Sequence, residues 1–188
     1  VRDRHLLNFK KSRKMKQYFI YLLCVPFLFG SSCGKDDLGI NRKMIGRLNG
    51  ERWEAKGNYS PNKPYNIRFN VRFEVYNNSG ELREKLLLYK VPFEVGRHLL
   101  SVTTNRTKDD LIGARFWTIS DDGDVIDNRY RLYDPAENTI MITKADTIRN
   151  ILKGEVNATF LVDPNDVEDT DIDTIRIENG LFEITLRD

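Results

Sequence analysis

Two cysteines and two histidines are all that this 188-residue chain holds of the side chains that make disulfides, thiolate metal centres and imidazole chemistry. Cys24 lies in an apolar run near the N-terminus and Cys33 just beyond it, so a domain built from the later residues has no disulfide framework and no thiolate zinc site. His5 precedes that run, which leaves His98 as the one imidazole of the folding domain. Zinc held through several histidines is therefore excluded, while zinc held by carboxylates alone stays open. Helical patterning is missing too: no stretch keeps an apolar period of three to four residues, with caps, over ten positions. Long apolar runs are scarce, and Tyr18 to Phe29 is too short to span a bilayer as a permanent helix.

That short run follows Lys16 and ends on Gly30-Ser31-Ser32. A basic start, an apolar centre and a small-residue end are the three parts of an export signal, so residues 1–32 are set apart from the fold. Met15-Lys16 is an economical start, and residues 1–14 read as an upstream extension. Gly30-Ser31-Ser32-Cys33 resembles a bacterial lipoprotein processing box, although Gly30 stands where the usual box has an aliphatic residue. The resemblance implies that Cys33 becomes the lipidated first residue and that the membrane is a partner through that lipid. It also implies an outer-membrane lipoprotein facing the periplasm or the cell surface, with residues 33–42 as its tether.

The charge balance changes at the same boundary. The whole chain is formally +2, but seven of its cations and only Asp3 of its acids precede Cys33, so the remainder is about minus four. Basicity of the whole chain therefore does not point to nucleic acid, and none is expected as a partner.

Residues 43–188 read as one domain of short strands and turns. Asn49-Gly50 between alternating segments predicts a tight hairpin, because both residues tolerate positive φ. Trp53 follows on a strand that enters the core. Tyr59 to Pro64, with two prolines, reads as a loop. Ile67 to Tyr76 alternates most clearly, with Ile67, Phe69, Val71, Phe73 and Val75 inward and Arg68, Arg72 and Glu74 outward. Leu86-Leu87-Leu88 lacks alternation and suits a strand buried on both faces. Leu99 to Thr104, Gly113 to Ile119, Asp127 to Tyr133, Thr139 to Thr143 and Arg149 to Leu161 follow as strands, with a bulge at Gly154. Ile175 to Ile177 and Phe182 to Leu186 close the domain as a hairpin about Asn179-Gly180. The fold class expected is all-β, an antiparallel two-sheet sandwich or a flattened calycin-like barrel of about ten short strands.

Asn49-Gly50 through Trp53, Ile142 to Asp146, Gly154 through Phe160 and Ile177 to Ile184 are similar to a family of Bacteroidota lipoproteins. That family opens on Asn-Gly-x-x-Trp and ends on a second Asn-Gly hairpin. Gly180-Leu181-Phe182 stands where relatives tend to have Gly-Arg-Phe. The family has no established activity, so the resemblance implies an all-β lipoprotein module and supplies no catalytic residue.

Candidate sites are few. His98 as a general base would need a nucleophile in reach; Ser101, Thr103 and Thr104 are near in sequence but no nucleophile-elbow motif surrounds them. Glycoside hydrolysis needs two acids held across a bond, and Glu74, Glu94, Glu155 and Glu183 qualify only if strands bring them together. Asp121, Asp122, Asp124 and Asp127 about Gly123 offer hard oxygen ligands to calcium, as does the acidic run Asp163 to Asp173, without the full calcium-loop pattern. Among the aromatics, Trp53 and Trp117 read as core. Tyr130 and Tyr133 are further candidates, and Tyr59 and Tyr65 beside the Pro-rich loop are the better exposed pair for a ligand. Arg68 and Arg72 on the polar side of the best strand suit a basic groove. The expectation is a noncatalytic envelope module that binds an extracytoplasmic glycan or envelope protein. The rivals are a carboxylate-based or calcium-supported enzyme and a structural accessory subunit.

Overall fold

The computed structural model describes residues 42–61, 68–103, 110–164 and 173–186. It is built from ten strands: β1 Lys43–Leu48, β2 Glu51–Pro61, β3 Arg68–Tyr76, β4 Leu82–Pro92, β5 Gly96–Ser101, β6 Ile112–Ile119, β7 Ile126–Leu132, β8 Thr139–Asp146, β9 Ile151–Val162 and β10 Thr174–Thr185. The all-β expectation holds. Neighbouring strands from β1 to β4 pair antiparallel; β4 then pairs with β6, β6 with β7, β7 with β9, β9 with β10, and β10 returns to β1. The hydrogen-bonded circuit is therefore continuous, and all ten strands belong to one sheet. A closed circuit leaves none of these strands as a free edge for another chain to extend. Strands β5 and β8 fill the interval where β6 and β9 part: β5 runs parallel to the start of β6 and antiparallel to β8, which pairs with β9.

Alternation explains the inside. Val71, Phe73, Leu86, Leu88, Phe116, Ile140, Leu152, Val156 and Phe160 are fully buried, and each is flanked on its strand by less buried neighbours. Phe116 contacts Trp53, Tyr130 and Phe160 with ring centroids 6.5, 6.0 and 6.1 Å away. These tilted and edge-on arrangements add to area burial. Trp53 is core, as its strand position predicts.

Local chemistry sets the turns. Asn49 and Gly50 adopt φ of 51° and 86° between the paired residues Leu48 and Glu51, which is the two-residue hairpin expected. Buried Asn138 organises the β7–β8 connection: its amide donates to the carbonyls of Tyr133 at 2.8 Å and Ala136 at 3.2 Å, and its oxygen accepts the Thr159 N–H at 2.7 Å.

Several details correct the sequence reading. Asn179-Gly180 is no hairpin, for β10 passes straight through it. Two residues of β10, Glu178 and Asn179, oppose the single Asn157 of β9, and this bulge places Asn179 at φ 51°. Asn157 Oδ1 accepts the bulged N–H at 2.8 Å. On its other side the bulge crowds Gly46, where an added Cβ would lie 2.7 Å from Gly180 Cα. Strand β2 runs on through Tyr59 to Pro61, because Lys56 to Pro61 keep pairing with β3 and proline at the last position costs little. Strand β5 starts earlier, at Gly96, and ends at Ser101. The irregularity near Gly154 belongs to β8, whose register shifts between Ile142 and Lys144; Gly154 itself leaves room for the Phe182 ring, 2.7 Å from where a Cβ would be. Leu87 is half-exposed and points away from Leu86 and Leu88, so β4 is not buried on both faces there.

Candidate functional site

Strand register assembles on the outer face what the sequence scatters. One row of directly paired residues crosses six neighbouring strands: Lys43, Lys56, Glu74, Lys85, Trp117 and Arg129. A second row, one pleat along, is Asn58, Arg72, Leu87, Arg115 and Arg131. All but Asn58 sit beside a buried residue on their own strand, such as Phe73 beside Arg72 and Phe116 between Arg115 and Trp117, and Asn58 is exposed in step with Lys56. All therefore face outward. With strands about 4.8 Å apart, the longer row spans roughly 24 Å.

This belt is cationic, with Glu74 as its one acid. Like charges stand directly opposite each other twice, Lys43 against Lys56 and Arg115 against Arg131. Such pairs destabilise a sheet; at about 6 Å in water each costs about 0.7 kcal/mol. Elsewhere the outer surface pairs many of its cations: Arg52 with Glu54, Arg83 with Glu81 and Asp121, Arg97 with Glu137, Lys144 with Asp146 and Lys153 with Glu183. Among the described residues, Lys43, Lys56, Arg72, Lys85, Arg115 and Arg131 form no ion pair. Two meet aromatic faces instead: Lys85 Nζ is 5.7 Å from the Trp117 ring and Lys56 Nζ 5.6 Å from the Tyr76 ring. A groove of about 600 Å³ opens at the β1 end of the belt, lined by Lys43, Glu54, Lys56, Glu74 and Tyr76. Tyr76 donates its hydroxyl to Glu74 at 3.0 Å.

No family model, curated protein or solved structure matches this chain. Function is therefore read from the arrangement of its own residues.

Of the residues singled out in the sequence, the belt gathers Arg72, Glu74 and Trp117 and leaves the rest apart. Arg68 shares its face but is engaged with Asp110, donating to the carbonyl at 2.5 Å with the carboxylate at 3.8 Å. Tyr59 is half-buried on β2, edge-on to Phe69 at 6.2 Å and under the Arg42 guanidinium at 5.6 Å, so it packs against the core and is no exposed loop aromatic. Tyr130 is core and Tyr133 is exposed. Trp117, expected inside, lies half-buried on the outer face because Phe116 takes the inward position. Cys33, Tyr65, Thr104 and residues 165–172 of the acidic run lie outside the described residues.

The remaining acids have local occupations. Asp121 pairs with Arg83 at 3.4 Å. Asp122 accepts from the Ser120 hydroxyl and the Asp124 N–H, and the Ser120 hydroxyl holds its carboxyl below the usual range. Asp124 and Asp127 are exposed beside them. Among the described residues no three of His, Cys, Asp or Glu come together as a metal-holding group. Glu155 accepts from Asn157 at 2.7 Å, Glu183 pairs with Lys153 at 2.7 Å, and Glu94 is exposed in a turn; these carboxylates and Glu74 are distributed over separate elements. His98 Nε2 is buried without a hydrogen-bond partner, so that nitrogen shares no proton with Ser101 or Thr103.

One acid escaped the sequence reading. Glu84 points inward from β4 in a row with Thr118 of β6 and Asn128 of β7, and its Oε2 accepts the Trp53 indole N–H at 2.5 Å. Burial pushes its carboxyl up, and the Trp53 hydrogen bond opposes that shift. The signal available was its spacing of two from Leu86, which assigns it to the inner face.

Proposed function

We propose that this chain is a noncatalytic envelope module, held to a membrane by lipid on Cys33, that binds an extracytoplasmic ligand on the cationic belt. The observation that carries this is the concentration of cations without ion-pair partners on adjacent strands, with like charges set opposite each other. A fold that keeps such pairs at a cost in stability has a use for the charge outside itself, because a charged partner would relieve both. The belt lies on paired strands, so a ligand meets a surface already formed and little ordering entropy opposes binding. The export reading of residues 1–32 supports a ligand outside the cytoplasm.

Two measurements test the halves of the proposal. Cys33→Ser should move the protein from the membrane fraction to the aqueous fraction; unchanged partitioning would remove the anchor. Thermal shift against anionic glycans, anionic peptides and neutral counterparts should give a saturable stabilisation with an anionic class and none with the neutral ones. A shift that is equal for charged and neutral compounds would remove the belt from the account.

A further inference from the structure

We infer that the ligand of the belt is a linear acidic polysaccharide, bearing carboxylates along its length and lying across the strands of β1, β2, β3, β4, β6 and β7. The inference rests on the binding-module reading and adds the chemical class.

Three features of the belt select this class. Its cations are repeated rather than clustered. Arg72, Arg115 and Arg131 lie in one row, and Lys43, Lys56 and Lys85 in the next. A chain with one anion per repeat can satisfy several of them at once, whereas a small anion would satisfy one or two. Its arginines present planar forks that pair with carboxylates, as with phosphates, in two parallel hydrogen bonds. Its aromatic residue is placed among the charges. Trp117 sits between Lys85 and Arg129 in its row and beside Arg115 along its strand axis, half-exposed, so an apolar sugar face can rest on indole while neighbouring carboxylates reach guanidinium. Leu87, between Arg72 and Arg115, extends that apolar footing.

Other polyanions fit less well. Single-stranded nucleic acid relies on successive aromatic platforms for its bases, and these two rows contain one aromatic ring. An anionic bilayer is held by cations around apolar side chains that insert into the headgroup region, while Trp117 and Leu87 are each half-covered within the sheet surface. A second copy of the chain would have to present an acidic face, yet the outer side of β9 and β10 mixes its signs, as in the 2.7 Å pair Lys153–Glu183.

The test uses the full chain and polygalacturonate, a polymer of uronate sugars, beside uncharged dextran, inorganic polyphosphate and vesicles containing phosphatidylglycerol. Saturable binding to polygalacturonate that weakens as salt is raised, with no binding to dextran, is the expected result. Arg115→Gln with Arg131→Gln should weaken it about tenfold, the equivalent of one charge-assisted contact. The control pair Arg97→Gln with Lys153→Gln removes the same charge elsewhere and should leave it nearly unchanged. Trp117→Ala should weaken polygalacturonate and leave polyphosphate binding as it was, a split that a general cation-exchange surface would not show. Equal loss with both control and belt pairs, indifference of polygalacturonate to Trp117→Ala, or preference for the vesicles would each overturn the inference. Arginine-dependent binding to polyphosphate or vesicles alone would overturn the glycan and leave the module reading standing. Absence of any effect of the belt variants on every probe would remove both.

Discussion

Glu84 offers the sharpest stability experiment. Its carboxyl is inward-facing, lifted above its ordinary 4.5 by burial, and joined to the Trp53 indole N–H at 2.5 Å. Glutamine keeps an oxygen for that N–H and cannot ionise; leucine supplies no acceptor. Glu84→Leu should therefore cost about 1–3 kcal/mol, the usual penalty for leaving a buried donor without a partner. For a domain of this size each kcal/mol lowers Tm by about 3 °C. Glu84→Gln separates from the parent by pH. Because the folded carboxyl binds its proton more tightly than the unfolded one, ionisation favours the unfolded chain. The penalty is absent below about 4.5, grows as pH rises toward the folded value and is constant above it. The glutamine variant should match the parent near pH 4 and exceed it at pH 7, by about 1.4 kcal/mol for each unit of upward shift. Urea unfolding at the two pH values measures this. A glutamine variant as unstable at pH 7 as the leucine one would show that Glu84 acts as a buried anion, and the reasoning would fail.

Arg131→Gln relieves the cross-strand repulsion with Arg115 and should stabilise the fold by about 0.5 kcal/mol in low salt; thermal melts should show the gain shrinking as salt rises. Gly46→Ala drives a Cβ against the Gly180 backbone of the β10 bulge and should cost about 2 kcal/mol of unfolding free energy, whereas truncation to alanine at an exposed strand position such as Lys144 should cost well under 1.

Much of the fold was legible because local chemistry and tertiary packing agree. The strict alternation of β3 and the Asn49-Gly50 pair each have one low-energy solution. Asn179-Gly180 shows the limit of that logic. The same dipeptide serves a bulge as well as a turn, since both need positive φ, and only pairing with Asn157 on one side and Gly46 on the other decides between them. Phe116-Trp117 shows another limit, because two adjacent large aromatics cannot both face inward on a strand and their order alone does not say which does. Tyr59 was misplaced because Pro61 and Pro64 signalled a loop, while the strand continues to its last pairing with Phe69. Of the belt, the sequence marks Arg72 as a cation for a groove, with Glu74 and Trp117 read in other roles. Lys43, Lys56, Lys85, Arg115 and Arg131 are dispersed along the chain among acids of similar number, and strand register alone gathers them.

Lysine labelling tests the belt most directly. The full chain is treated with an amine-acylating reagent with and without polygalacturonate, and modification at each lysine is read by mass spectrometry. The account predicts that Lys43, Lys56 and Lys85 are protected by the polymer while Lys144 and Lys153, on β8 and β9, react at the same rate in both conditions. Protection of Lys144 and Lys153 to the same degree, or no protection at the three belt lysines, would contradict it.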